Sequence, residues 1–159
     1  MVVISQSKPQ IVIVPGAWQA PCMFDTFVTH LGALGYSTTV IKLPSVDPPQ
    51  ALTSIDEDIL AVQQTLLPLI EAGKNVVLVM HSYGSIPGSE AVKGLAKADR
   101  ERDEDGGVIS LVYMAGFLLK KGQTLLDAKA EPTLWNELDP EASIILRCCT
   151  LPYSCDSLL

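Results

Sequence analysis

One serine lies where an apolar run meets a glycine, and it is the residue of this sequence best suited to chemistry. The run VVLVM at residues 76–80 has the continuous apolar character of a strand buried on both faces. Ser82 follows it, and Gly84 comes two positions later. A serine on a tight, strained strand-to-helix turn needs small neighbours and projects its hydroxyl from the sheet edge that binds ligands. The pattern predicts a nucleophile elbow at Ser82, whereas the same string in an ordinary loop would be a turn or an N-cap.

Two backbone N–H groups are candidates to stabilise an oxyanion beside this serine. The helix that follows Ser82 offers the N–H of Tyr83 and the positive end of its dipole. The first predicted strand ends in VPGAW at residues 14–18. There Gly16 permits close approach of the backbone, and the N–H of Ala17 is the second predicted donor. Alone, VPGAW would be a plain strand-ending turn, but together with the serine two strands later it favours an oxyanion hole.

Trp18, Gly16 and His81 are the residues that we predict to contact a substrate. For Trp18 two interpretations stay open, since its ring could line an acyl pocket or pack over the loop. His81 adjoins the nucleophile, and its ring is expected to pack beside the turn rather than reach the serine hydroxyl.

A general base for the serine is not evident. The sequence contains two histidines. The other one, His30, lies in the first predicted helix, where a surface or packing role is expected. Asp127 follows the fourth predicted strand, but a surface role is favoured over that of a catalytic acid. Without a base the serine hydroxyl stays protonated and is a poor nucleophile. We therefore expect the chain to stop before its catalytic histidine and to be impaired as a catalyst.

Four apolar runs predict the strands that must position these groups. Helical spacing of apolar residues separates them, and strands alternating with helices indicate a doubly wound, mostly parallel α/β sheet of about four strands. Pro68 is expected to kink or shorten the second helix. The predicted strands, in their expected spatial order, are residues 37–43, 11–14, 76–80 and 108–115, and the predicted helices are residues 22–34, 55–70 and 85–98.

The rhythm of strands and helices ends before the chain does. We predict a partial α/β domain over residues 1–142 and an atypical tail over residues 143–159, whose structure the sequence does not indicate. The fourth strand would then have a long apolar edge, and such an edge favours self-association.

Composition excludes several classes of function. Hydrophobic residues make up 48% of the 159 residues and charged residues 18%, which is typical of a globular protein. A net charge of −7 argues against binding nucleic acid or an anionic membrane surface. No run is long enough to span a bilayer, and the N-terminus lacks a basic signal-peptide region. We expect a cytoplasmic protein whose four cysteines are free thiols and that holds no metal.

Three motifs together resemble the α/β-hydrolase superfamily, and most closely its small esterase-like branch related to methylesterases and hydroxynitrile lyases. They are VPGAW at residues 14–18, VMHSYG at residues 79–84 and LVYMAGF at residues 111–117. The resemblance implies a nucleophilic Ser82, oxyanion donors at Ala17 and Tyr83, and no cofactor. The sequence departs from the family at Met80, where the elbow usually has glycine.

The resemblance leaves two classes of function open. One is a hydrolase that acts on an ester, lactone or thioester of a small apolar molecule, with a lyase on the same scaffold as a variant. The other is a non-catalytic remnant or binding module.

Overall fold

The computed structural model describes residues 8–100 and 105–125. Within them, four parallel strands form one sheet in the order β2-β1-β3-β4, which confirms the predicted fold class and strand order. Asp127 and the predicted tail lie outside the described residues, so the domain boundary stays a prediction. The strands are β1 (Gln10–Val14), β2 (Thr38–Val40), β3 (Asn75–His81) and β4 (Gly107–Met114).

Helices cover both faces of the sheet. Branched apolar residues on β1 and β3 alternate between two clusters, because successive side chains of a strand point to opposite faces. Ile13 and Val79 pack with α1 and the turn before it, whereas Val12 and Leu78 pack with α2 and α3 in the larger cluster. The helices are α1 (Asp25–Ala33), α2 (Asp56–Glu71) and α3 (Ser85–Ala91).

The ends of several elements differ from the prediction. The third helix ends at Ala91 rather than near residue 98, because Gly94 adopts a φ of 75° and Ala96 then forms a parallel bridge with Val108. The second helix continues through Pro68 and ends three residues later, at Glu71. The first helix starts as a 3-10 turn over Pro21–Phe24.

The register of β1 against β3 aligns the carboxyl ends of the two strands. Ile13 pairs with Val79 and Val14 with Met80. The loop after β1 and the turn after β3 therefore leave the sheet side by side. This register is what brings residues separated by more than sixty positions into one site.

Strand β4 is exposed along much of its length. The side chains of Ile109, Leu111 and Val112 are 48%, 37% and 39% exposed. Within the described part of the chain, β4 pairs with β3 on one side, and its outer edge is bridged at Val108 by Ala96 but pairs with no further strand.

Candidate active site

Ser82 lies immediately after β3, at the start of a 3-10 turn that leads into α3. Its φ is 48°, a left-handed conformation that non-glycine residues seldom adopt. Such strain persists only where surrounding contacts hold the backbone, and it is concentrated at functional sites. The turn gives Ser82 a half-buried position at the carboxyl edge of the sheet.

The turn is tight because Gly84 packs directly against β1. A Cβ atom at residue 84 would lie 2.2 Å from the carbonyl oxygen of Pro15 and 2.6 Å from that of Val14. No side chain fits at those distances.

Met80 occupies the position where the sequence led us to expect a small residue. Its side chain is fully buried and extends towards α3, where a Cβ atom on Gly88 would lie 2.6 Å from the sulfur. Gly88 therefore provides the space that a glycine at residue 80 would otherwise leave. The pair Met80 and Gly88 explains how this turn accommodates the larger residue.

The loop after β1 lies against the serine. A Cβ atom on Gly16 would lie 3.1 Å from the Cβ atom of Ser82, so only a glycine allows this approach without a shift of the neighbours. Ala17 follows at once and is half-buried against the larger core cluster. The two segments that carry the predicted oxyanion donors are thus neighbours.

Gln19 joins this loop to His81, a contact that no sequence pattern indicated. The N–H of Gly16 donates to Oε1 of Gln19 at 2.7 Å, and Nδ1 of His81 lies 2.7 Å from the same oxygen. Because an amide oxygen only accepts, Nδ1 of His81 carries its ring hydrogen. The ring also meets Phe24 edge-on, with centroids 6.3 Å apart.

Neither histidine is hydrogen-bonded to Ser82. Nδ1 of His30 lies 2.6 Å from the carbonyl oxygen of Thr26 on the exposed helix α1. Within residues 8–100 and 105–125, the Ser82 hydroxyl makes no hydrogen bond. Asp127 lies outside the described residues. Neither histidine is therefore in place to take the proton of Ser82.

Trp18 adopts a φ of 61° and packs, half-buried, against the larger core cluster. This contact fits the packing interpretation, and a role in lining an acyl pocket stays a prediction.

A buried carboxylate holds the side chain of Tyr83. Asp58 on α2 is fully buried, and its Oδ2 accepts hydrogen bonds from the hydroxyls of Tyr83 at 2.9 Å and Ser45 at 2.6 Å. Its Oδ1 accepts from the N–H of Ser45 at 2.9 Å. Burial, and then the charge and hydrogen bond of Asp58, raise the pKa of the Tyr83 phenol well above its ordinary value. The phenol therefore stays a donor. No sequence pattern indicated that Asp58, an acidic residue in the first turn of α2, belongs to the site.

Ser85 ties the turn to the segment after β4. Its hydroxyl donates to the carbonyl oxygen of Ser82 at 2.7 Å and accepts from the N–H of Phe117 at 2.7 Å. Ser85 is fully buried, and a Cβ atom on Gly116 would lie 2.9 Å from its own. Through Ser85, the segment that follows β4 thus also holds the backbone of Ser82.

The expectation of free thiols is wrong for Cys22, which is disulfide-bonded. No group of three or more His, Cys, Asp or Glu side chains in the described ranges could hold a metal ion. None of the described helices has the length and apolar character needed to cross a membrane.

Comparison with known proteins identifies a family that agrees with the observed sheet. A sequence model of the alpha/beta hydrolase family matches residues 11–149 of this chain. This chain belongs to the alpha/beta hydrolase family. The match includes β1 from its second residue, β3 and β4, with the segments that follow them.

Two curated fungal relatives are similar to the chain. One is the alpha/beta hydrolase nvfD of Aspergillus novofumigatus, 37% identical over 134 residues that cover 83% of this chain and 52% of the relative. The other is the probable hydrolase R7 of a Phoma species, 27% identical over 124 residues that cover 77% of this chain and 48% of the relative. The chain thus spans about half the length of each relative. Neither name specifies the methylesterase or hydroxynitrile lyase branch.

Proposed function

We propose that this family member is built for hydrolysis of an ester, lactone or thioester of a small apolar molecule. Ser82 is the nucleophile, and the N–H groups of Ala17 and Tyr83 stabilise the oxyanion. Gly16, Trp18 and His81 contact the substrate. No cofactor takes part in this scheme.

One observation carries the proposal: the left-handed backbone of Ser82, at a φ of 48°, stands against the glycine loop that follows β1. A strained serine with a neighbouring glycine loop suits nucleophilic attack and oxyanion binding. The names of the two relatives, both hydrolases, support the same class of reaction.

The proposed chemistry needs a base that takes the proton of Ser82. His81 holds Gln19 through its Nδ1 atom, and His30 lies on an exposed helix. In this scheme neither of the two histidines of this sequence is the base. The chain by itself is therefore a slow catalyst.

A fluorophosphonate probe, which reacts with activated serines, tests the assignment. We expect slow but selective modification, located at Ser82 by peptide mass spectrometry and abolished in Ser82→Ala. Ser110→Ala removes an exposed serine of β4 and is the matched control, because it should leave the modification unchanged. Modification spread over several serines, or located elsewhere, would refute the role of Ser82.

A non-catalytic binding module is the second candidate. The absence of any hydrogen bond to the Ser82 hydroxyl in the described residues favours it. A chain that stays unmodified by the probe, yet binds small apolar esters in a calorimetric titration, would support this alternative. A lyase on the same scaffold would instead be modified at Ser82 and cleave a cyanohydrin faster than an ester.

A further inference from the structure

We propose that Asp58 is a positioning residue: through the phenol of Tyr83 its carboxylate fixes the backbone next to Ser82. This inference rests on the proposed function for its catalytic meaning, because the N–H of Tyr83 is one of the two proposed oxyanion donors. The structural part of the inference, that Asp58 orders the turn, can be tested by itself.

The carboxylate is too deeply buried to be an incidental feature of a helix N-terminus. Asp56 and Glu57, its neighbours in the first turn of α2, are exposed, whereas Asp58 is 0% exposed. Burying a charged group is costly unless hydrogen bonds replace its water. Three hydrogen bonds from two residues do so here.

The donors come from two separate parts of the fold. Ser45, which is 1% exposed, belongs to the loop after β2, and Tyr83 belongs to the turn after β3. Asp58 therefore links that loop, α2 and the turn at a single point. Because Tyr83 directly follows Ser82, holding its ring restrains the left-handed backbone of the nucleophile.

Charge strengthens this restraint. Hydrogen bonds to an ionised carboxylate are shorter and stronger than those between neutral groups. A tyrosine phenol is protonated over the whole neutral range, and the raised pKa of Tyr83 extends this donor form to more alkaline pH. Tyr83 thus contributes to the site in two ways, with its N–H towards the oxyanion and its hydroxyl towards α2.

The first test measures backbone motion by ¹⁵N relaxation at residues 82–84 of the 159-residue chain. We expect order parameters near the rigid value of about 0.85 in the parent chain and below about 0.6 in Asp58→Asn and Tyr83→Phe. Leu78, in the middle of β3, should keep its value in both variants. Asp56→Asn, which changes an exposed carboxylate of the same helix, is the matched control. It should leave the order parameters unchanged both at residues 82–84 and at Leu78.

The second test measures how fast the fluorophosphonate probe modifies Ser82. We expect each variant to slow the reaction about tenfold, which corresponds to about 1.4 kcal/mol. The double variant should be no slower than the slower single one, since both changes break the same contact. If Asp58 had only a general structural role, the variants would lower the order parameter of Leu78 together with those of the turn.

The results separate the two proposals. If the parent chain is not modified at Ser82, the proposed function fails, while the order parameters still decide whether Asp58 orders the turn. If Ser82 is modified and both variants keep rigid turns and the parent rate, the role of Asp58 is refuted. Additive effects in the double variant would also overturn it, because Asp58 would then act by a route other than Tyr83.

Discussion

Gly84 lies so close to Pro15 that a Cβ atom on it would be 2.2 Å from the proline's carbonyl oxygen. The φ of Gly84 is −56°, which any residue adopts, so the requirement for glycine is one of space rather than of conformation. This contact joins the turn after β3 to the end of β1. It sets how closely Ser82 approaches the loop that carries Ala17.

Gly84→Ala should therefore destabilise the protein, by about 1–3 kcal/mol, the usual cost of forcing an atom into a packed site. Urea unfolding followed by circular dichroism measures the free energy of unfolding. Gly32→Ala is the control, because a Cβ atom there meets nothing within 4 Å and alanine favours the helix. Gly32→Ala should be neutral or slightly stabilising. Equal effects of the two changes would contradict the close approach.

Replacing Ser82 by glycine should stabilise the fold relative to replacing it by alanine. The φ of 48° costs a residue with a side chain about 1–2 kcal/mol, and glycine avoids most of that cost. The difference in free energy of unfolding between Ser82→Gly and Ser82→Ala measures it directly. Both variants lack the hydroxyl, so its interactions cancel in the comparison. If alanine proves as stable as glycine, the turn is not strained in solution.

The chain should hydrolyse activated esters slowly, and Ser82→Ala should lower the rate only modestly. The reason is that neither His81 nor His30 is hydrogen-bonded to Ser82, so neither of them activates the hydroxyl. The release of nitrophenol from a short-chain ester provides the measurement. Turnover typical of esterases, lost in Ser82→Ala, would show that a base exists in this chain.

The phenol of Tyr83 should make the stability of the protein sensitive to alkaline pH. Burial and the nearby charge of Asp58 raise its pKa in the folded chain. Above about pH 10 an unfolded tyrosine loses its proton more readily than Tyr83 in the folded chain, and this deprotonation lowers the free energy of unfolding. The stabilisation is therefore complete below that pH and is lost as the pH rises towards the folded pKa.

The matching variant is Tyr83→Phe. Near neutral pH it should be less stable by about 1.5–3 kcal/mol, the typical value of a hydrogen bond to a charged group. Its free energy of unfolding should then decline less steeply than that of the parent above about pH 10. Parallel curves for the two proteins would argue against the contact between Tyr83 and Asp58.

The exposed edge of β4 should promote self-association. Ile109 is 48% exposed on this apolar edge strand, and unpaired strand edges pair with other chains. Light scattering after size-exclusion chromatography should detect dimers or larger species, and Ile109→Lys should reduce them. Leu34→Lys, at a residue 63% exposed beyond α1, is the control and should not. A monodisperse parent chain with a cooperative, high-temperature unfolding transition would show that the edge is covered.

The sequence by itself determined the sheet and the position of the serine turn. Runs of branched apolar residues predict strands because their side chains fit a buried pleated surface, and the alternation with helices fixes a parallel order. The pattern around Ser82 is equally local, since strand, serine, glycine and helix follow one another within a few residues. Each of these signals is contained in a short stretch of chain.

Only the tertiary structure decided what holds the site together. Asp58 and Tyr83 are 25 residues apart, and Gln19 and His81 are 62 apart. Their hydrogen bonds exist because the register of β1 on β3 and the packing of α2 bring distant backbones together. Gly88 and Met80 fit each other for the same reason. In the sequence, a carboxylate that becomes buried in the first turn of a helix cannot be told from one that stays exposed. Packing against the sheet removes water from Asp58, and the hydrogen bonds from its partners are then needed to offset the cost of burying the charge.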